Sequence, residues 1–192
     1  MAANLMLGNI YFSREDDLKA AGYFRRVIEL DPDQENAYLH MGVAYARSGD
    51  MEKAVQVLKE LRGINPESLM ADLTLARLYR QMELTVLAEE NYRSIISRRP
   101  DFQIAYSELG DLYVEKGETG KAIEVYRSSL DENPRDFGAR HRLSRLFIEL
   151  GQLDEALAEL EGIVEHDPQN IEALRKIGLI YLEKRDWAGG AD

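Results

Sequence analysis

Every proline in the chain lies 34 residues from the next: Pro32, Pro66, Pro100, Pro134 and Pro168. Proline has no N–H to give a helix, and its ring clashes with the carbonyl one turn earlier, at roughly 3 kcal/mol or more. Five helix breaks are therefore written at even spacing. The same step links the small residues Gly8, Gly42, Ala76, Gly110, Ser144 and Gly178. It also links the aromatic residues Tyr11, Tyr45, Tyr79, Tyr113, Phe147 and Tyr181. A third series is Ala20, Ala54, Ala88, Ala122 and Ala156, with Gly190 in the sixth place. A period this strict marks a stacked repeat array, in which each unit touches only its neighbours.

One unit, Gln103 to Asp136, shows what repeats. Ile104, Ala105, Leu109, Leu112 and Tyr113 recur at three- and four-residue steps, the spacing of one helical face. Gly117 interrupts, and Ala122, Ile123, Val125 and Tyr126 begin a second apolar stripe that ends near Leu130. A glycine inside a helix is unfavourable by about 1 kcal/mol relative to alanine, so close packing must offset Gly8, Gly42 and Gly110. The small residue lets the second helix approach the first, and the alanine of each second helix is expected to face the same gap. The aromatic residue before each interhelix turn fills the space where the two helices diverge.

The pattern resembles the tetratricopeptide repeat (TPR) family over the whole chain. The resemblance implies an all-α fold, a right-handed superhelical α-solenoid of antiparallel helix pairs. Residues 1–192 are expected to form a single array, with repeats at 1–34, 35–68, 69–102, 103–136 and 137–170 and a partial sixth at 171–192. That is eleven helices and no strand, with interhelix turns near residues 14, 49, 83, 117 and 151. The sixth unit's first helix is expected over Ile171 to about Lys184, with Asp186-Trp187 starting a second.

Chemistry is sparse. The chain has no cysteine, which removes disulfides, thiolate metal sites and cysteine nucleophiles. Three scattered histidines leave no nucleophile–base pair and no zinc set, so no catalytic, cofactor or metal residue is assigned. A net charge of −11 argues against nonspecific nucleic-acid binding, which needs clustered cations. No apolar run approaches 18 residues and no basic-then-apolar leader is present, so no membrane insertion and a cytoplasmic chain are expected. Gly117-Glu118-Thr119-Gly120-Lys121-Ala122 imitates the end of a phosphate-binding loop. Glu115 occupies the first glycine's place, Ala122 the hydroxyl's, and no strand precedes it.

The third repeat is the least regular. Asp72 stands where Tyr38 and Tyr106 stand, and its turn, Gln81 to Thr85, has no glycine. Leu84, Val86 and Leu87 make that turn unusually apolar, through local repacking or as a patch for a partner.

In the family the first helices of successive repeats line a concave groove that holds a peptide or protein. The resemblance carries that role to Leu5, Met6, Asn9 and Phe12 in the first repeat, and to Asn36, Leu39, His40 and Val43 in the second. It continues through Arg77 and Arg80, then Glu108 and Asp111, then His141, Arg142 and Arg145, and finally Arg175 and Lys176. The chaperone-tail clamp of some members fails here, because His40, Met70 and Thr74 replace its polar ligands. The asparagine ladder of the sugar-transferase relatives fails at Met6, His40, Thr74, Glu108, Arg142 and Lys176. Two functions remain: a non-catalytic protein-interaction scaffold, or a recognition arm of a larger protein, enzymes included. In the middle of the groove Glu108, Asp111 and Glu115 are expected to pair with arginines of the repeats on either side. That leaves a positive strip for an acidic partner at the C-terminal half, while the N-terminal part takes apolar partner residues. Weak self-association is expected through the C-terminal end, where Ile177, Leu179, Ile180 and Leu182 spread around one helix.

Overall fold

The computed structural model describes the backbone of residues 1–189 and the side chains of residues 1–184. Among the described residues there are eleven helices and no strand. The chain divides into two compact units, Met1–Arg98 and Arg99–Asp192. The first unit holds α1 (Ala2–Ser13), α2 (Asp17–Leu30), α3 (Glu35–Arg47), α4 (Met51–Ile64), α5 (Leu69–Gln81) and α6 (Thr85–Arg98). The second holds α7 (Gln103–Glu115), α8 (Thr119–Glu132), α9 (Phe137–Glu149), α10 (Leu153–His166) and α11 (Ile171–Gly189). All five prolines fall in the turns between pairs.

The turn inside each pair is one device used five times. Glu15, Gly49, Glu83, Gly117 and Gly151 adopt the left-handed conformation, with φ between 60° and 89°. That lets the next N–H reach back to the carbonyl of the framed aromatic residue: Asp16 to Tyr11 at 3.0 Å, Asp50 to Tyr45 at 2.9 Å, and Leu84 to Tyr79, Glu118 to Tyr113 and Gln152 to Phe147 at 2.8 Å. These bonds satisfy carbonyls that the helix end would otherwise orphan. The aromatic series thus fixes the turn as well as the packing. The phosphate-loop imitation is one of these turns, running into α8.

Side-chain caps start several helices. Asp50, Ser68, Asp136 and Asn170 each accept from the N–H three residues on, at 3.0–3.1 Å. The core is the framed set: Ala20, Ala54, Ala88, Ala122 and Ala156 are fully buried, as are Phe24, Leu58, Tyr92, Tyr126 and Leu160. The gap opened by the small residue is filled one turn beyond the alanine rather than by it. A methyl on Gly8 would lie 2.7 Å from the Phe24 ring and one on Gly42 would lie 3.0 Å from Leu58, while one on Gly110 would overlap the Tyr126 ring. The alanine is needed for the helices to close, and the residue four places later occupies the notch.

The sixth unit departs from expectation. α11 runs unbroken to Gly189 instead of stopping near Lys184. Arg185 holds the frame position of Gly117 and Gly151 but remains helical. Left-handed backbone is unfavourable by roughly 1–2 kcal/mol for a residue with a Cβ. Glu15 and Glu83 accept that strain where a second helix packs back, and no such packing among the described residues offsets it here. Gly178 consequently has open space around it, and Tyr181 is exposed rather than filling a core position. Gly190 and the side chains of Asp186 and Trp187 lie outside the described residues.

Gly110→Ala is expected to destabilise the chain by about 1–3 kcal/mol, because the Tyr126 ring must move. Gly178→Ala, on an open helix face, is expected to stabilise it by up to about 1 kcal/mol. Urea unfolding of the two variants measures both; equal effects would contradict the notch.

Candidate peptide-binding groove

The first helices are α1, α3 and α5 in one unit and α7, α9 and α11 in the other. Within the first unit α3 packs against both α1 and α5, so these helices lie side by side. Phe12 of α1 stacks on His40 of α3, with ring centres 5.5 Å apart and planes 17° apart. Buried Phe24 of α2 closes the cluster from beneath, 5.3 Å from His40. Arg47 sits 4.7 Å over the other side of Phe12 and is held by Asp17 at 3.3 Å. Leu5, Leu39 and Val43 are half-buried around this cluster, while Asn9 and Asn36 are exposed and Met6 is 65% exposed. Arg77 is exposed and Arg80 half-buried, and neither is free of interactions. Of the residues assigned from the sequence in repeats one and two, Phe12 and His40 are brought into direct contact.

The second unit is polar. Asp111 of α7 accepts from Arg142 of α9, with Nε to Oδ1 at 3.1 Å and Nη2 to Oδ2 at 3.3 Å. It also accepts from the Tyr126 hydroxyl at 2.7 Å. Burial, helped by the Asp111 carboxylate, pushes that phenol well above the usual range. Tyr126 has two roles, filling the Gly110 notch with its ring and anchoring Asp111 with its hydroxyl. Sequence reading assigned it neither role and placed it only in the apolar stripe of a second helix. Lys176 pairs with Glu172 at 2.8 Å, and Arg145 with Glu149 at 3.9 Å between two mostly exposed side chains. Glu108 is half-buried and also engaged. Arg175 is exposed. The cation-rich end is thus more compensated than neighbouring sequence suggests, because Asp111 reaches Arg142 from one repeat earlier.

His40 and His141 share a further property. Each has a buried Nδ1 without a hydrogen-bond partner, and burial lowers the pKa of each imidazole. Lys176 lowers that of His141 further, against Glu172. Among the described residues no group of three or more His, Asp or Glu could hold a metal ion, and no helix is long and apolar enough to cross a membrane.

Sequence models of the tetratricopeptide repeat match residues 11–78 and 113–178, and another covers 73–137. The chain belongs to the tetratricopeptide repeat family. Solved structures of TPR proteins superpose on it throughout. A tetratricopeptide repeat protein from Parabacteroides merdae has a TM-score of 0.70 at 16% identity, covering 94% of this chain and 72% of its own. MamA has 0.68 at 22% identity, with 86% and 97% covered. YrrB, described as a TPR protein with an unusual peptide-binding site, has 0.60 at 16%, with 90% and 89% covered. At these identities the likeness establishes the fold, an all-α helical repeat solenoid. No protein with a curated description matches the chain.

The histidines make stability depend on pH. The ordinary pKa of 6.5 is lowered for His40 in the folded chain, so the unfolded chain takes up the proton first. Its contribution is complete above about pH 6.5 and is lost as pH falls below that. His40→Phe, placed between Phe12 and Phe24, is expected to lessen the fall in melting temperature between pH 7 and pH 5. An unchanged pH profile would contradict the buried neutral imidazole.

Proposed function

We propose that the chain is a non-catalytic protein-interaction scaffold that holds a peptide or protein partner against the first helices of its repeats. The observation that carries this reading is the stacking of Phe12 of α1 on His40 of α3, on helices that also carry half-buried Leu39 and Val43 and exposed Met6. This face spans two adjacent first helices and would take hydrophobic side chains of the partner. At the other end Arg145 and Arg175 are the cations least enclosed by carboxylates, suited to an acidic residue or a C-terminal carboxylate. Arg142 is not available for that task, since Asp111, itself anchored by the Tyr126 hydroxyl, holds it in place. A recognition arm of a larger protein would use the same face in the same way; the reading frame around this segment separates the two cases.

Peptides selected from a random display library against the intact chain test the proposal. Met6→Glu is expected to weaken a selected peptide at least tenfold. Arg145→Glu with Arg175→Glu is expected to weaken acidic peptides by a similar factor and to flatten their salt dependence. Affinities unchanged in both variants would place the binding surface elsewhere.

Self-association through α11 is favoured by a separate observation. Ile171, Leu174, Leu179, Tyr181 and Leu182 are all exposed, and the Gly178 notch is open. Exposed apolar surface of this kind favours contacts with a second copy. Sedimentation is expected to show a concentration-dependent dimer that Leu182→Glu abolishes; a clean monomer at high concentration would rule it out.

A further inference from the structure

One junction of the array carries a cation where the other complete repeats are apolar. Arg62 stands where the other repeats have Ile28, Ile96, Leu130 and Val164. Around it lie Asp72, at the place of Tyr38, Tyr106 and Arg140, Asn91, at the place of Tyr23, Val57, Val125 and Glu159, and Arg98, at the place of Leu30, Ile64, Glu132 and His166. The four side chains meet. Arg98 binds the Asp72 carboxylate and donates to the Pro66 carbonyl at 3.0 Å. Asp72 is 4% exposed and Asn91 is 8% exposed, so the polar groups are built into the interior. Above them, between α4, α6 and the Pro66 turn, opens a cleft of 530 Å³.

Arg62 is the loosest member. Its guanidinium is 3.7 Å from Asp72 and 3.5 Å from the Asn91 oxygen, both at the limit of a polar contact, and its side chain is 43% exposed. Arg98 already compensates Asp72, so Arg62 presents a cation with unused donors at the floor of the cleft. The rim has the opposite sign, with Glu67 and Glu90 both exposed. We propose that this cleft is a second binding site, which takes from a partner protein an acidic side chain flanked by a basic one. The carboxylate pairs with Arg62 in the two-pronged geometry a guanidinium favours, and the basic neighbour meets Glu67 and Glu90. The same rim disfavours a multiply charged anion such as phosphate. Removing buried ion pairs in favour of apolar residues is often neutral or stabilising, so a merely structural role does not explain why Arg62 stands where the other complete repeats are apolar. None of these residues belongs to the first-helix groove, and the two sites stand or fall separately.

The arginine Nε–Hε signals of the full-length ¹⁵N-labelled chain report on the site directly. Acetyl-Ala-Lys-Glu-Ala-amide is expected to shift the Arg62 signal, and with it that of Arg98 on the same Asp72 carboxylate, saturably at about millimolar concentration. The Lys-Gln analogue and inorganic phosphate should not do so. Arg62→Ile, which restores the frame residue and leaves Asp72 paired with Arg98, is expected to keep or raise the melting temperature while abolishing the response at Arg98. No saturable shift up to about ten times that concentration, or an equal response to the Gln peptide or to phosphate, would overturn the proposal. So would a fall in melting temperature beyond about 4 °C in Arg62→Ile, since it would make Arg62 a structural residue.

Discussion

Each helix pair depends on one steric fit, a small residue on the first helix facing a large one on the second. Gly8 with Phe24, Gly42 with Leu58 and Gly110 with Tyr126 show the contact directly. It sets the distance between the helices, and that distance sets where the framed alanine can sit. The left-handed turn must then close over a three-residue gap. Once the gap is fixed, the aromatic carbonyl is the acceptor in reach of the N–H that follows the turn. Core, turn and helix length are thus solutions to a single spacing.

That coupling explains what could be read from the sequence. The prolines, the small series and the aromatic series each carried the period independently, and helix ends and turns landed where they indicated. The alanine series marked buried positions correctly, but which residue fills the notch was not legible. Filling depends on side-chain length at the place four residues on, and Phe24, Leu58 and Tyr126 look unrelated until the helices are set together. The course of α11 was misread for a related reason. A turn residue forms a turn only if the next helix has something to pack against, and a frame position cannot state that by itself.

The binding face divides in the same way. Phe12, His40 and Val43 could be placed on one face from the family resemblance, which gives the first helices to a common groove. The fate of the cations could not. Arg142 is bound by a carboxylate 31 residues away, and a phenol on another helix anchors that carboxylate. A ladder from Asp111 to arginines of the neighbouring repeats was expected, but which arginine it would take, and that Tyr126 would anchor it, was not. The departures at Asp72 and Arg62 carry the same lesson. Either looks like tolerated variation alone, and they become a constellation only when their places across the junction are superimposed.

The junction has a consequence for how such a chain can be inherited. Arg62 belongs to the second repeat, whereas Asp72, Asn91 and Arg98 belong to the third. Tandem duplication of either repeat leaves one copy of the junction whole, and duplication of the two together makes two. Loss of either repeat, or insertion of a foreign one between them, destroys it. The array can therefore lengthen by copying its own units without losing this cleft, but it cannot be shortened or shuffled at this point.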